Sequence, residues 1–273
     1  LPNELDLICC AGAHECEGHG GILHYDRPVH IDYEWVGQGA STIVFLHEGL
    51  GSIAMWRGFP SELSSALAMR GLVYSRPGYG KSTPRAHAER WKPDYLHRQA
   101  YDVLPKLLDD LGLREPVWLY GHSDGGSIAL LFAARFPGRT AGAIVAAPHW
   151  FVEDMAIEGI RRTRTAYLEG GLRERLARFH DDVDSAFYGW HDVWTDPAFR
   201  SWNIADDIAP IAAPVLAIQG IGDEYGTLEQ VRGIARLVKH AKVLELAGCG
   251  HSPHRDQARA VIEASVEFVR SRR

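Results

Sequence analysis

Three observations predict an α/β fold with a mostly parallel sheet flanked by helices. Seven short β-branched or aliphatic runs recur: HIDYEWV (30–36), TIVFLH (42–47), LVYSR (72–76), PVWLYG (116–121), GAIVAA (142–147), PVLAIQG (214–220) and KVLELA (242–247). Helical stretches lie between them, and alternation of strand and helix implies crossover helices on a parallel sheet. The last five runs are near-continuously apolar, as strands covered on both faces should be. At 273 residues, 46% of them hydrophobic, the chain can bury a large core within one domain.

Residues 1–20 read as a loose N-terminal tail. It carries Cys9, Cys10 and Cys16 with His14 and His19, and the fourth cysteine is Cys249. The stretch CCAGAHEC offers thiols and an imidazole to a metal, but it lacks the paired C-x2-C or H-x3-H units of such sites. No metal is expected. Few cysteines elsewhere fit a reducing cytoplasm. The N-terminal residues show no basic-then-apolar signal pattern, and no run approaches about 18 apolar residues. Net charge is −6 and no lysine/arginine cluster would suit a phosphate backbone. The expectation is a cytoplasmic protein that binds a small molecule, not nucleic acid or membrane, with homo-oligomerisation left open.

Residues 21–147 and 209–273 form the expected core. HIDYEWV alternates polar and apolar residues, which suits an exposed edge strand. Over 96–111 apolar residues recur with a 3.6-residue period, which predicts a helix with a kink at Pro105 and a stop at Gly112. The rhythm breaks at 148–208, where charged helix-like runs and many aromatics replace buried strands. This segment reads as a helical insertion over the carboxyl edge of the sheet. Its aromatics either dock it on the body or face a ligand.

Four loops carry candidate chemistry. RPGYGKS (76–82) ends like a phosphate loop, but Ser75 stands where that motif needs glycine and Pro77 removes an amide, so no nucleotide site is expected. HEGLGS (47–52) is either a tight strand-to-helix turn or a loop whose glycines turn N–H donors inward. GHSDGG (121–126) sets Ser123 between Gly121 and Gly125, between a strand and a helix. GCGHSPHRD (248–256) offers His251, with His254 as its competitor.

Each loop follows a buried strand, and ligands of α/β sheets gather beyond the carboxyl ends of strands. Acyl chemistry needs an activated hydroxyl, a base, a group orienting the base and donors for the oxyanion. Ser123 on a tight turn supplies the hydroxyl. In PVLAIQGIGDEYG, Asp223 follows a late strand as the orienting acid, with Glu224 beside it. His251 follows the last strand as base.

On HEGLGS, GHSDGG, GIGD and GCGH, in that order, the sequence resembles the α/β-hydrolase family over roughly residues 30 to 270. The resemblance implies Ser123 as nucleophile, His251 as general base and then acid, and Asp223 as its orienter. It also implies oxyanion donors from the backbone of Asp124 and of Gly49 or Leu50, and a helical cap at 148–208. Two positions depart from the pattern. Glu48 stands where many relatives have glycine, and Asp124 brings a carboxylate next to the serine.

Neither a metal-ligand set nor a dinucleotide fingerprint is present, so no cofactor is expected. A serine rather than an aspartate argues against the dehalogenase and epoxide-hydrolase branches. Hydrolysis of a small carboxylic ester or lactone leads, followed by carbon–carbon bond hydrolysis of a ring-cleavage product. A hydrolase-fold binding protein and amide or perhydrolytic chemistry come after these. The aromatics of the insertion suggest an apolar or aromatic substrate group, with His149, Trp150 and Trp190 as candidate pocket residues. The alternative for His149 is a surface position where the insertion begins.

Overall fold

The structure, a computed structural model, describes residues 18–24 and 28–272. Cys9, Cys10, His14 and Cys16 lie outside the described residues. An eight-stranded sheet runs in the order β1-β2-β4-β3-β5-β6-β7-β8. The strands are β1 (Gly18–His24), β2 (Pro28–Gly37), β3 (Thr42–Leu46), β4 (Arg70–Tyr74), β5 (Val117–His122), β6 (Thr140–Ala146), β7 (Val215–Gly220) and β8 (Ala241–Leu246). β1 and β2 join antiparallel, and every pairing from β4 to β8 is parallel.

Both edges differ from expectation. HIDYEWV lies in β2, but β1 pairs along it from Gly18↔Glu34 to His24↔Pro28 and takes the edge instead. The sheet therefore begins inside the segment read as a tail, because GHGGILH is too rich in glycine to announce a strand. At the other edge β8 buries Leu246 fully and leaves the rest of the strand half-buried or exposed. KVLELA is thus an edge strand, only partly covered on its two faces: Val243 packs on one core, Leu244 and Leu246 on the other.

Helices cover the sheet: α1 (Phe59–Leu67), α2 (Tyr95–Arg98), α3 (Leu104–Asp110), α4 (Asp124–Arg135), α5 (Asp154–Leu168), α6 (Leu172–Leu176), α7 (Val183–Thr195), α8 (Ala205–Ile208), α9 (Glu229–Leu237), α10 (Pro253–Asp256) and α11 (Ala258–Arg270). The helix expected over 96–111 is broken by a π-helical turn, Gln99–Val103, just before Pro105. Proline has no N–H for the carbonyl four residues back and its ring would strike it, so a widened turn there relieves the clash. Gly112, at φ 67°, ends the segment as expected.

Alternate residues of the central strands feed two cores. Val44, Leu46, Leu72, Leu119 and Val145 pack with α3 and α4. Ile43, Phe45, Val73, Tyr120, Ile144 and Ile218 pack with Phe59 and Leu63 of α1 and Val261 and Phe268 of α11. Ile128 to Ala133 in α4 are fully buried, which is why SIALLFAARF is apolar all round. Between β6 and β7 the chain is helical (α5–α8), with one isolated bridge, Phe151↔Asn203, and no strand. Its rings pack largely on each other: Tyr167 stacks on Phe187 with centroids 3.7 Å apart, and Phe199 on Trp202 at 5.3 Å.

Candidate active site

Because β3 to β8 run parallel, the loops after them emerge at one end of the sheet. Ser123 sits where β5 turns into α4, with φ 53° and ψ −119°, a backbone region costly for any residue but glycine. The turn is tight on both sides. A Cβ on Gly121 would lie 2.1 Å from the Gly125 carbonyl oxygen, and one on Gly125 would lie 1.9 Å from that of Leu46. The two flanking glycines are therefore required by close backbone approach, and the strained serine projects from the end of the strand.

Ser123 Oγ lies 3.0 Å from His251 Nε2, and His251 Nδ1 lies 2.8 Å from Asp223 Oδ1. Asp223 also accepts from the Tyr225 N–H at 2.9 Å and from Gln219 Nε2 at 3.0 Å. Burial raises the pKa of this carboxyl, but the His251 contact and the Tyr225 N–H outweigh it, and the net shift is downward. An ionised Asp223 fixes the proton on Nδ1 and leaves Nε2 free to accept from the serine. Such a chain can deprotonate a hydroxyl as it attacks a carbonyl.

The competing residues go elsewhere. Glu224 Oε2 accepts the backbone N–H of His251 at 3.2 Å and does not meet the ring. His254 is buried among Trp56, Phe59 and His122, and neither ring nitrogen has a hydrogen-bond partner among the described residues. Burial holds its pKa well below the ordinary histidine value.

Asp124 is the first residue of α4, so its N–H has no intrahelical acceptor and can serve an oxyanion. Its carboxylate points away into a buried network: it accepts from Tyr95 Oη at 2.8 Å and Trp194 Nε1 at 3.2 Å, and lies 3.5 Å from Arg76 Nη2. The HEGLGS loop is held at three points. The Glu48 carbonyl accepts from His47 Nδ1 and Arg76 Nη2, both at 2.8 Å, and the Leu50 carbonyl accepts from His180 Nε2 at 3.0 Å. The Glu48 side chain lies 3.5 Å from His122 and 3.4 Å from Arg255. Over this loop sits Trp190 of α7; a Cβ on Gly49 would lie 2.1 Å from its Nε1.

His149 is buried, not a surface residue, and its ring centroid lies 5.8 Å from that of His251. Burial first, then the nearby His251, pushes its pKa down to about 3, so it is a neutral imidazole. Trp150 makes its visible contacts with the body of the fold. Its indole packs on Gly233 and donates to the Glu229 carbonyl of α9 at 3.3 Å, contacts that tie the insertion to the body. Spacing could not reveal Arg76, Tyr95, Trp194 and His180, because each reaches the site through a partner distant in sequence. His122 does stand inside the GHSDGG motif, and its Nε2–H donates to the His251 carbonyl at 2.7 Å. Among the described residues no cluster of three or more histidine, cysteine or acidic side chains could hold a metal, and no helix is long and apolar enough to cross a membrane.

Known proteins resemble the chain along nearly its whole length. A 2-hydroxy-6-oxo-6-phenylhexa-2,4-dienoate hydrolase of Comamonas testosteroni is 23% identical over 269 residues, covering 89% of this chain and 92% of the relative. A bifunctional esterase/perhydrolase of Acinetobacter calcoaceticus is 22% identical over 280 residues, covering 89% and 97%. Among solved structures, a thermophilic esterase from Thermogutta terrifontis superposes with a TM-score of 0.69 at 20% identity, covering 94% of this chain and 99% of that one. The model of the alpha/beta hydrolase family matches residues 43–264, from β3 into α11. The protein is a hydrolase of the α/β-hydrolase family.

Proposed function

We propose that the protein is a serine hydrolase that cleaves a small carboxylic ester or lactone through an acyl-enzyme. The observation that carries this is the continuous chain Ser123 Oγ–His251 Nε2–His251 Nδ1–Asp223 Oδ1, at 3.0 and 2.8 Å. His251 takes the serine proton as Oγ attacks the carbonyl carbon. The N–H groups of Asp124 and of Gly49 or Leu50 receive the oxyanion. His251 then protonates the leaving alcohol, and a water activated by the same imidazole releases the acid. No step calls on a cofactor. The insertion at 148–208 acts as a cap that shapes the acyl or alcohol pocket, with Trp190 and His149 facing the reacting groups.

Carbon–carbon bond hydrolysis is the second reading, supported by the name of the Comamonas testosteroni relative. A panel of p-nitrophenyl esters of increasing chain length, run beside a vinylogous diketone, separates the two. Turnover of esters with an inert diketone is the expected result. Turnover of the diketone alone reverses the order, and a fluorophosphonate that fails to label Ser123 removes both readings.

A further inference from the structure

One guanidinium nitrogen touches both halves of the oxyanion site. Arg76 Nη2 donates to the Glu48 carbonyl at 2.8 Å and lies 3.5 Å from Asp124 Oδ2. Resting on the serine-hydrolase reading, we propose that Arg76 is a positioning residue that strengthens and aims the two oxyanion donors, the N–H groups of Gly49 and Asp124.

The peptide geometry gives the reason. No described peptide bond is cis, so the Glu48 carbonyl and the Gly49 N–H point in opposite directions from one peptide plane. The carbonyl accepts three donors: Arg76 Nη2, His47 Nδ1 at 2.8 Å and the Gly51 N–H at 3.1 Å. Donors on the carbonyl draw electron density from the peptide nitrogen and make its N–H a stronger donor, most of all when one of them is charged. The choice between Gly49 and Leu50 falls on Gly49, whose carbonyl-side partner Glu48 bears the guanidinium.

On the other side Asp124 anchors the first turn of α4. With Arg76, Tyr95 and Trp194 on its carboxylate, Asp124, whose N–H is the other proposed donor, cannot rotate freely. Arg76 itself is fully buried with its Cζ 4.7 Å from the Tyr79 ring centroid, and its Nε and Nη1 meet no acceptor among the described residues. A buried, under-satisfied guanidinium is expensive for a fold, and such groups persist where a site uses them. His47 fits the same scheme: its Nε2 accepts the Arg76 N–H at 3.0 Å, which leaves the Nδ1–H for Glu48.

The test uses Arg76→Gln and Arg76→Lys in the whole protein, with p-nitrophenyl acetate as substrate and a trifluoromethyl ketone as tetrahedral adduct. Losing a whole oxyanion donor costs about a hundredfold to a thousandfold in kcat, so weakening one should cost less. Arg76→Gln is expected to lower kcat by about tenfold to hundredfold with KM nearly unchanged, and to weaken the ketone by the same factor. Arg76→Lys should recover part of both. A folded Arg76→Gln with unchanged kcat and ketone affinity overturns the proposal, as does a loss confined to KM.

If neither variant folds, wild type decides. With carbon-13 at glutamate carbonyls and nitrogen-15 at glycines, the Glu48–Gly49 peptide should resonate downfield of the other Glu–Gly pairs, because hydrogen bonds to a carbonyl deshield both nuclei. A signal among the others refutes the polarisation. Turnover that survives in Ser123→Ala marks the separate failure of the serine-hydrolase reading, and this inference falls with it.

Discussion

Glu224 and His251 meet through the main chain: the carboxylate accepts the His251 N–H at 3.2 Å, while the ring is left to the neighbouring Asp223. Two adjacent acids thus do different things to one histidine. Asp223 fixes the tautomer and faces any imidazolium that forms, whereas Glu224 holds the loop. On the proposed mechanism, Asp223→Asn should lower kcat by about 10⁴, as loss of the orienting acid does in a triad. Glu224→Gln keeps an acceptor for the N–H and should cost less than about tenfold, near the scale of one neutral hydrogen bond. Equal and mild losses in the two variants would place the orienting acid elsewhere.

Ser123→Ala should abolish turnover while the thermal melt stays close to wild type. Loss of the nucleophile costs on the order of 10⁶ in kcat because no covalent intermediate can form. The strained φ of 53° suits alanine no worse than serine, so the fold has little to lose. Retention of more than a tenth of the wild-type rate would sink the assignment.

How far these residues could be read in advance depended on how local their signals are. The turn at GHSDGG was legible because glycine at 121 and 125 answers contacts made within the strand–turn–helix itself. The parallel strands were legible from apolar runs, since burial on both faces leaves an unbroken pattern. Both edges were harder. In β1 a glycine-rich segment joins the sheet by pairing along β2, and KVLELA carries an apolar pattern that its edge position buries only in part. The Arg76–Asp124 pair was invisible because nothing in RPGYGKS tells a loop glycine-turn from a platform for a buried guanidinium. Trp150 was ambiguous for a different reason: aromatic residues at an insertion's base serve docking as readily as ligands.

Acid should destabilise the fold before it titrates the carboxylates. Burial lowers the pKa of His47, His149, His180 and His254. For His149 the folded value is about 3 against an ordinary 6.5, so between those values the unfolded chain binds a proton that the native state refuses. Stability is therefore full above about pH 6.5 and falls as pH drops from there toward 3. His149→Gln should make the slope of unfolding free energy shallower by up to about 1.4 kcal/mol per pH unit between roughly pH 6 and 4. Urea titrations at several pH values measure it. A slope identical to wild type would mean that His149 takes up a proton in the folded protein.

Trp150 and Trp190 should separate docking from substrate choice. Trp150 packs on Gly233 and donates to the Glu229 carbonyl, so its truncation removes an anchor between the insertion and α9. Trp150→Ala should cost about 1–3 kcal/mol of stability, below the about 3–5 typical of a fully buried tryptophan because its ring is only partly buried. The ratios of kcat/KM across ester chain lengths should stay put. Trp190 lies over Gly49, where its indole covers the proposed oxyanion loop. A ring packed against a ligand contributes a few kcal/mol at most, so Trp190→Ala should shift chain-length preference by roughly tenfold to hundredfold. Labelling of Ser123 by a small phosphonate, too short to reach the proposed cap, should change far less. Thermal melts and preference ratios measured on the same two variants decide the matter. If Trp150→Ala reshapes the ratios while Trp190→Ala only lowers the melting temperature, the two roles are reversed and the pocket opens toward α9.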